Sequence, residues 1–251
     1  MALYDTISAL YDPWSVSVTE DVDYYVAEAL AGGGPVVELA VGTGRIAVPI
    51  ARAGIPVIGV DESEGMLAVA RAHAEREGVA ERVDLRVGDM REPPVSERVP
   101  LVIVPFRSLL HLADDREKLR VLCAAAALLE PGGKLVFDVF APSAEDIEET
   151  DGRWVEREPG IFERADWDEA SRTLTLSVRR ADEAASFTLH WLEPEAWRGL
   201  IAEAGLEVVE LHGWFDHRPF TGGEDMIWHC RRYVSPEGQS LGGHAPPGER
   251  R

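Results

Sequence analysis

The chain contains only two cysteines among its 251 residues, Cys123 and Cys230. Two thiols are too few for the disulfide framework of a small secreted protein, and they lack the spacing of a zinc motif. We expect both to be reduced, buried and inert. The chain also lacks an apolar run of the ~18 residues that a membrane span needs, and its first residues do not resemble a signal peptide. These absences predict a cytoplasmic protein with no membrane partner.

Basic residues are scarce as well, because 25 Lys and Arg stand against 45 Asp and Glu, which gives a formal net charge of -20. A nucleic-acid surface needs clustered Lys and Arg to displace counterions, and the chain has no such cluster. We therefore expect no nucleic-acid partner. The excess acid indicates a well-solvated surface, and the composition leaves open whether two copies form a homodimer.

Short apolar runs alternate with helical patterns from residue 35 onward. The runs are continuous rather than alternating, which is typical of strands covered on both faces. They span 35–39, 56–60, 83–87, 99–106 and 134–140. This order predicts an α/β fold, a doubly wound Rossmann-like structure with a mostly parallel sheet.

Beyond residue 150 the apolar period changes to two, which predicts antiparallel strands. We expect a small antiparallel β cap of about three strands, inserted at about 151–192, with strands at 161–167, 173–178 and 187–191. A helix and two strands, 206–214 and 225–232, then return to the main domain, 35–234. Residues 1–34 are interpreted as an N-terminal helical lid. The tail, 235–251, has too few apolar residues to fold and is expected to be disordered.

A glycine turn follows the first strand, in the sequence ELAVGTGR (38–45). A side chain at Gly42 or Gly44 would keep the backbone away from a ligand, so the two glycines indicate close approach. Asp61 ends the second strand 17 residues after Gly44, where a carboxylate can accept hydrogen bonds from both ribose hydroxyls. Nicotinamide enzymes and S-adenosylmethionine enzymes share this arrangement, so both classes remain open at this point.

Three further features distinguish the two cofactors. Asp89 ends the third strand, where it can accept a hydrogen bond from an adenine amino group while Met90 packs on the ring. Glu38, beside the turn, would repel a pyrophosphate but is compatible with a sulfonium and an ammonium group. The third glycine of a dinucleotide-binding G-x-G-x-x-G motif is replaced by Ala47. Dinucleotide binding is therefore disfavoured.

With these residues in place, the chain resembles the class I S-adenosylmethionine-dependent methyltransferases over roughly residues 4–233. The matching segments are ELAVGTGR (38–45), VIGVD (57–61), GDM (88–90), PFRSLLHL (105–112), LLEPGGKLVFDVF (128–140), AGLEVVELHGWF (204–215) and DMIWHCRR (225–232). The resemblance implies a seven-stranded sheet whose last strand inserts antiparallel between its neighbours. It also implies S-adenosyl-L-methionine as the cofactor and in-line methyl transfer to an N, O or C atom of a small-molecule acceptor. Many members have glycine where this chain has Ala40.

The resemblance also implies a set of site residues. The cofactor-binding candidates are Tyr11, Trp14, Glu38, Ala40, Gly42, Gly44, Arg45, Asp61, Glu62, Met66, Asp89, Met90 and Phe106. The acceptor-binding candidates are Tyr4, Arg107, Ser108 and His111, with further aromatic candidates in the cap at Trp154, Phe162, Trp167, His190 and Trp191. No metal is expected.

His111 is the candidate general base, because a hydroxyl acceptor needs one and the usual pKa of histidine lies near neutrality. A structural hydrogen bond is the alternative role for this histidine. Arg107 suits an acceptor carboxylate, and a salt bridge to one of the many acids is its alternative. Two rival functions stay open as well: an NAD(P)-dependent oxidoreductase and a non-catalytic S-adenosylmethionine-binding module.

Overall fold

The computed structural model describes residues 13–14, 19–223 and 225–232. Tyr4, Tyr11 and the predicted disordered tail lie outside the described residues. The helices are α1 Glu20–Gly32, α2 Ala47–Arg52, α3 Glu64–Arg76, α4 Asp115–Leu128, α5 Ala144–Thr150 and α6 Pro194–Glu203, with 3-10 turns at Ala80–Arg82 and Ser108–His111. In this described part of the chain, none of the helices has the length and apolar character needed to cross a bilayer.

The strands form two sheets. They are β1 Val36–Leu39, β2 Val57–Asp61, β3 Val83–Val87, β4 Val99–Val104, β5 Leu129–Phe140, β6 Trp154–Glu158, β7 Ile161–Asp168, β8 Thr173–Arg180, β9 Glu183–His190, β10 Leu206–His212 and β11 Asp225–Arg232. The main sheet has the order β10-β11-β5-β4-β1-β2-β3, and the second sheet has the order β6-β7-β8-β9. In the main sheet, β11 runs antiparallel between β5 and β10, and the other pairs are parallel. The predicted fold class is confirmed.

Helices cover the main sheet on both faces, which explains why its central strands are apolar at almost every position. All four residues of β1 are buried, as are five of the six in β4. Ser63 caps α3 by accepting a hydrogen bond from the Met66 N–H. Because the parallel strands β1 to β5 all end at the same edge, the loops that follow them meet there.

The cap contains four strands rather than the predicted three or so. The additional strand, β6, lies at the edge of the sheet, and four of its five residues are exposed. It therefore lacks the alternation of buried and exposed residues by which a half-buried strand is recognised. The inner face of the cap packs against the core of the main sheet, where Leu174, Phe187 and Leu189 join the same apolar cluster as Phe140.

The prediction that Cys123 is buried is wrong, since its side chain is exposed on α4, whereas Cys230 is buried as predicted. Lys118, on the same helix, points inward. The Lys118 Nζ donates a hydrogen bond to the Leu112 carbonyl oxygen at 2.6 Å, which compensates the buried ammonium group and lets its aliphatic stem pack in the core.

Two glycines provide a matched test of this packing. A Cβ at Gly59 in β2 would lie 2.8 Å from the Val41 Cγ2, whereas a Cβ at Gly199 in α6 would meet no atom within 4 Å. We expect Gly59→Ala to lower the free energy of unfolding by about 1–3 kcal/mol through overpacking. Gly199→Ala should raise it by about 0.5–1 kcal/mol, because alanine is the better helix former. Urea unfolding of both variants measures the difference, and equal effects would contradict the packing described for β2.

Candidate active site

A cavity of about 850 Å³ opens at the carboxyl edge of the main sheet and extends beneath the cap. The structure brings most of the predicted site residues into its wall. These are Trp14, Ala40, Gly42, Asp61, Glu62, Met66, Asp89, Met90, Phe106, Arg107, Ser108 and His111. Among the predicted cap aromatics, Trp167 lines the cavity, and Phe187, which sequence reasoning missed, lies beside it.

The glycine turn is fastened to β2 by the Asp61 carboxylate. One carboxylate oxygen accepts from the Gly42 N–H at 2.9 Å, and the other accepts from the Ser63 N–H at 2.9 Å. Each carboxylate oxygen has two acceptor sites, so these bonds leave capacity for the hydroxyls of a ribose. Asp61 is therefore held in place at the cavity wall by the same two loops that it joins.

The two glycines of the turn serve different purposes. A Cβ at Gly42 would meet no protein atom within 4 Å, so this position faces open space at the cavity, as a close approach to a ligand requires. A Cβ at Gly44 would lie 3.3 Å from the Ala70 Cβ and 3.3 Å from the Val48 Cγ2. Gly44 is therefore needed for the packing of α3 against the turn, and it is not part of the cavity wall.

Glu38 carries a buried carboxylate oxygen, Oε2, that has no hydrogen-bond partner among the described residues. The residue is 2% exposed, and it borders a recess of about 30 Å³ that shares Ala40, Gly42 and Phe106 with the main cavity. Burial raises the pKa of Glu38 well above its usual value, and Arg45 offsets part of this rise. A buried, unsatisfied acceptor is costly, and a bound ammonium group would satisfy it.

Arg45, predicted to bind the cofactor, is held by Asp21 of α1 in the described structure. Its two terminal nitrogens donate to the two carboxylate oxygens of Asp21 at 2.8 and 2.5 Å, and its guanidinium lies 4.4 Å from the centre of the Phe106 ring. Asp21 is 1% exposed and also borders the cavity. Sequence reasoning missed Asp21, because one acid among many in a helical first turn carries no distinctive signal.

Asp138, near the end of β5, is a second residue that sequence reasoning missed. Its carboxylate accepts hydrogen bonds from the Tyr25 hydroxyl at 2.6 Å, the Phe106 N–H at 2.8 Å and the Arg107 N–H at 3.0 Å. Phe106 and Arg107 have positive φ angles of 57° and 60°, which non-glycine residues rarely adopt. Burial raises the pKa of Asp138 to about 6. The only sequence signal was an acid inside the apolar run LVFDVF.

Arg107 and Ser108, two of the acceptor-binding candidates after β4, have intramolecular partners. The Arg107 guanidinium donates to the Asp225 carboxylate at 2.8 Å and lies 4.7 Å from the centre of the Phe140 ring. The Ser108 hydroxyl donates to the Pro105 carbonyl oxygen at 2.6 Å. The salt bridge that was the alternative role of Arg107 is thus present, and the binding of an acceptor by either residue stays a prediction.

His111 lies at the end of the cavity that faces the cap, with its ring centre 5.3 Å from that of Phe187. Burial and, to a smaller extent, the neighbouring His190 lower the pKa of His111 to about 4. The imidazole is therefore neutral at pH 7 and weakly basic. Such a group accepts a hydrogen bond well but removes a proton from a hydroxyl poorly.

Asp89, the predicted adenine contact, is paired with Arg91. Its carboxylate accepts from the Arg91 Nε at 2.8 Å and the Arg91 N–H at 2.8 Å, and this pairing lowers the pKa of Asp89. Arg91 also bonds Glu117 of α4. Asp89 stays in the cavity wall, so its contact with an adenine remains a prediction.

Trp14, a predicted cofactor-binding residue, contacts the cap. Its indole N–H donates to the Glu163 carboxylate at 2.8 Å, and its ring meets Phe187 edge-on at 5.8 Å. The residue borders the cavity as well. Its place between the cap and the cavity indicates that it helps to position the cap.

Comparison with known proteins shows that the chain is similar to methyltransferases. Residues 36–133 match the family described as a methyltransferase domain. The structure of the CcbJ methyltransferase from Streptomyces caelestis superposes with a TM-score of 0.77 at 27% identity, over 87% of this chain and 98% of that one. Together, the matched domain and the solved structure support a class I S-adenosylmethionine-dependent methyltransferase.

Two curated relatives are similar in sequence to this methyltransferase. A methyltransferase of Geobacillus is 32% identical over 140 residues, which is 55% of each protein, so the chain spans about half the length of that relative. The demethylmenaquinone methyltransferase of Clavibacter sepedonicus is 26% identical over 252 residues, 98% of this chain and 92% of the relative. These likenesses do not favour the rival oxidoreductase.

S-adenosylmethionine is the cofactor of this methyltransferase, and the residues present fit it. The unpartnered Glu38 oxygen is suited to a cationic group, and Gly42 leaves the turn open. Ala40, where many members have glycine, has a φ of 59°. Glycine adopts this left-handed conformation without strain, which explains the family preference and shows that alanine tolerates it here.

The role of Asp61 can be separated from its structural bonds. We expect Asp61→Asn to weaken binding of S-adenosylhomocysteine at least about tenfold, because hydrogen bonds to a charged acceptor contribute roughly 1.5–3 kcal/mol each. The loss should be much smaller for an analogue that lacks the ribose hydroxyls. Isothermal titration calorimetry of both ligands tests this, with Glu64→Gln, an exposed residue outside the cavity wall, as the control. An equal loss for both ligands would show that Asp61 acts only on the loops.

Proposed function

We propose that this methyltransferase transfers the methyl group of S-adenosylmethionine to a nitrogen atom of a small-molecule acceptor by in-line displacement. The observation that carries the proposal is one continuous cavity, which runs from Gly42 and Asp61 to the inner face of the cap. The end beside Asp61 has residues suited to a nucleoside cofactor. The end beneath the cap has an apolar surface suited to an organic acceptor. An active enzyme, rather than a module that only binds the cofactor, accounts for both ends.

The dimensions of the cavity support a small acceptor. Sites for small molecules usually measure roughly 300–1,000 Å³, and about 850 Å³ leaves room for a cofactor together with a modest second molecule. The cap closes the acceptor end with Leu174, Leu176, Phe187 and Leu189. A peptide or nucleic-acid strand would need an open groove, whereas the cap sheet covers the acceptor end of this cavity.

The charge of the wall supports a basic acceptor. Nine carboxylates line the cavity: Glu20, Asp21, Asp61, Glu62, Asp89, Glu117, Asp138, Glu163 and Asp225. Four guanidinium groups oppose them, from Arg91, Arg107, Arg153 and Arg157. The excess of negative charge attracts an amine in its protonated form from solution.

The chemistry of the described side chains also favours nitrogen. The bound cofactor supplies a methyl group that its sulfonium already activates, so the protein has to orient the acceptor and exclude water. A hydroxyl acceptor needs a general base, and His111, with a pKa of about 4, is a weak one. An unprotonated amine needs no base. A neutral imidazole can instead accept a hydrogen bond from an amine N–H and so orient the nitrogen lone pair.

An assay with paired acceptors tests the proposed function. Purified protein is incubated with methyl-labelled S-adenosylmethionine and a panel of hydrophobic amines, each matched with the alcohol or phenol of the same skeleton. We expect labelled product from amines, loss of labelling in Asp61→Asn, and turnover that rises with pH as the free amine forms. Labelling of the hydroxyl partners alone would contradict nitrogen as the acceptor atom.

His111→Gln distinguishes orientation from general-base catalysis. Glutamine retains a hydrogen-bond acceptor but cannot take up a proton, so for an amine acceptor we expect kcat to fall less than about tenfold. A general base would contribute roughly 10²–10⁴-fold to the rate. The kcat of the variant and its pH profile are compared with those of the wild type. A loss of 100-fold or more, together with loss of the acidic limb of the profile, would assign His111 as the base.

A further inference from the structure

A cluster of polar side chains lies where α1 packs on β10 and β11, separate from the cavity wall. We call Tyr24, Glu210, His212 and His229 the histidine cluster. His212 and His229 are 7% and 2% exposed, whereas Glu210 is exposed. Two of the chain's seven histidines are therefore buried side by side, with an exposed carboxylate at their edge.

The side chains of the histidine cluster converge at bonding distances. The Tyr24 hydroxyl oxygen lies 2.7 Å from the His212 Nδ1 and 2.5 Å from the His229 Nε2, and the His212 Nε2 lies 3.2 Å from the Glu210 Oε2. One ligand atom from each of Glu210, His212 and His229 lies within 4.8 Å of the other two. A metal ion placed at the centre of three atoms with that spacing would lie about 2.8 Å from each of them. Metal bonds of about 2.0–2.2 Å therefore require each ligand atom to move by less than about 1 Å.

Strand register fixes this arrangement. Glu210 pairs directly with His229 across β10 and β11, and His212 lies two residues further along β10, on the same face. Side chains that share a face of two paired strands have little freedom to separate. Sites built on strands hold ligands more accurately than sites built on loops. The scaffold is therefore rigid, and the described residues need only small side-chain movements to take up an ion.

A further carboxylate stands behind His229. The Glu28 Oε2 lies 3.9 Å from the His229 Nδ1 and accepts from the Lys134 Nζ at 2.7 Å. Histidine ligands commonly turn one nitrogen to the metal and the other to a carboxylate, which fixes the tautomer and orients the ring. The Nε2 of His229, on the opposite side of the ring from Glu28, is the nitrogen that points into the histidine cluster.

We propose that Glu210, His212 and His229 form a binding site for a divalent transition metal ion of the zinc type, with the Tyr24 oxygen next to it. Two imidazoles and a carboxylate are ligands that Zn²⁺ accepts. Glu210 is exposed, as is His217, whose ring centre lies 4.5 Å from that of Tyr24. An ion at this site would fasten α1, which carries Tyr25 and Asp21, to the edge of the main sheet.

The same atoms can be joined without metal by a chain of hydrogen bonds, from the His229 Nε2–H to the Tyr24 oxygen, from the Tyr24 O–H to the His212 Nδ1, and from the His212 Nε2–H to Glu210. This chain uses each donor once. Experiment distinguishes the two states, because only the metal site gives a stoichiometric affinity for Zn²⁺ that depends on all three ligands.

The test uses full-length protein without an affinity tag, freed of metal with a chelator that is then removed. Titration calorimetry with Zn²⁺ should give one site per chain, and Zn²⁺ should raise the melting temperature because it binds the folded state. Substituted Co²⁺ should show the intense visible absorption of a four-coordinate ion. His229→Gln and His212→Gln should each weaken Zn²⁺ binding at least about tenfold. His73→Gln, outside the histidine cluster, is the matched control and should bind like the wild type.

Glu210→Gln keeps the test decisive if a buried-histidine variant fails to fold, since Glu210 is exposed. This variant should melt like the wild type without metal and lose at least about tenfold in Zn²⁺ affinity. The proposal is overturned if the wild type binds Zn²⁺ no more tightly than Glu210→Gln, or if Co²⁺ gives no such absorption. The histidine cluster would then be the hydrogen-bond chain alone.

Discussion

The active site depends on one buried carboxylate, that of Asp138. It joins three parts of the chain that are distant in sequence: α1 through the Tyr25 hydroxyl, the loop after β4 through two N–H groups, and β5 on which it lies. Two consecutive non-glycine residues with positive φ cost on the order of 1–3 kcal/mol each, and they persist only where the surroundings fix them. Asp138 provides that constraint at the bottom of the cavity.

The cavity lies between two loops that are held at the carboxyl edge of the main sheet. Asp61 fixes the glycine turn on one side of β1, and Asp138 fixes the loop after β4 on the other. Between them lies the Glu38 carboxylate, desolvated and without a partner for Oε2 among the described residues. The fold itself therefore maintains an unsatisfied hydrogen-bond acceptor where a cationic cofactor belongs. The buried, unpartnered Glu38 oxygen lowers the stability of the protein, but it provides a preformed site for the cofactor.

The sequence predicted those features that depend on local pattern. Continuous apolar runs indicated the parallel strands, and Asp61 and the two glycines were found by their position at strand ends. Asp21, Asp138 and Tyr25 were missed because their importance arises from contacts between distant segments. The weak basicity of His111 was missed for a related reason, since it results from burial beneath the cap. Strand β6 was missed because most of its residues are exposed and show no alternation. On α4, the inward-pointing Lys118 interrupts the apolar pattern that would identify the buried face.

The most direct test of this account is amide hydrogen exchange of Asp138→Asn, measured together with its affinity for S-adenosylhomocysteine. Asparagine preserves size but replaces one carboxylate oxygen with a donor, so either the Phe106 N–H or the Arg107 N–H loses its acceptor. Because these two bonds hold the loop after β4, loss of either one loosens both adjacent amides. We predict a folded variant in which the Phe106 and Arg107 amides lose protection and the cofactor product binds at least about tenfold more weakly. Unchanged protection and unchanged affinity would contradict the central role of Asp138.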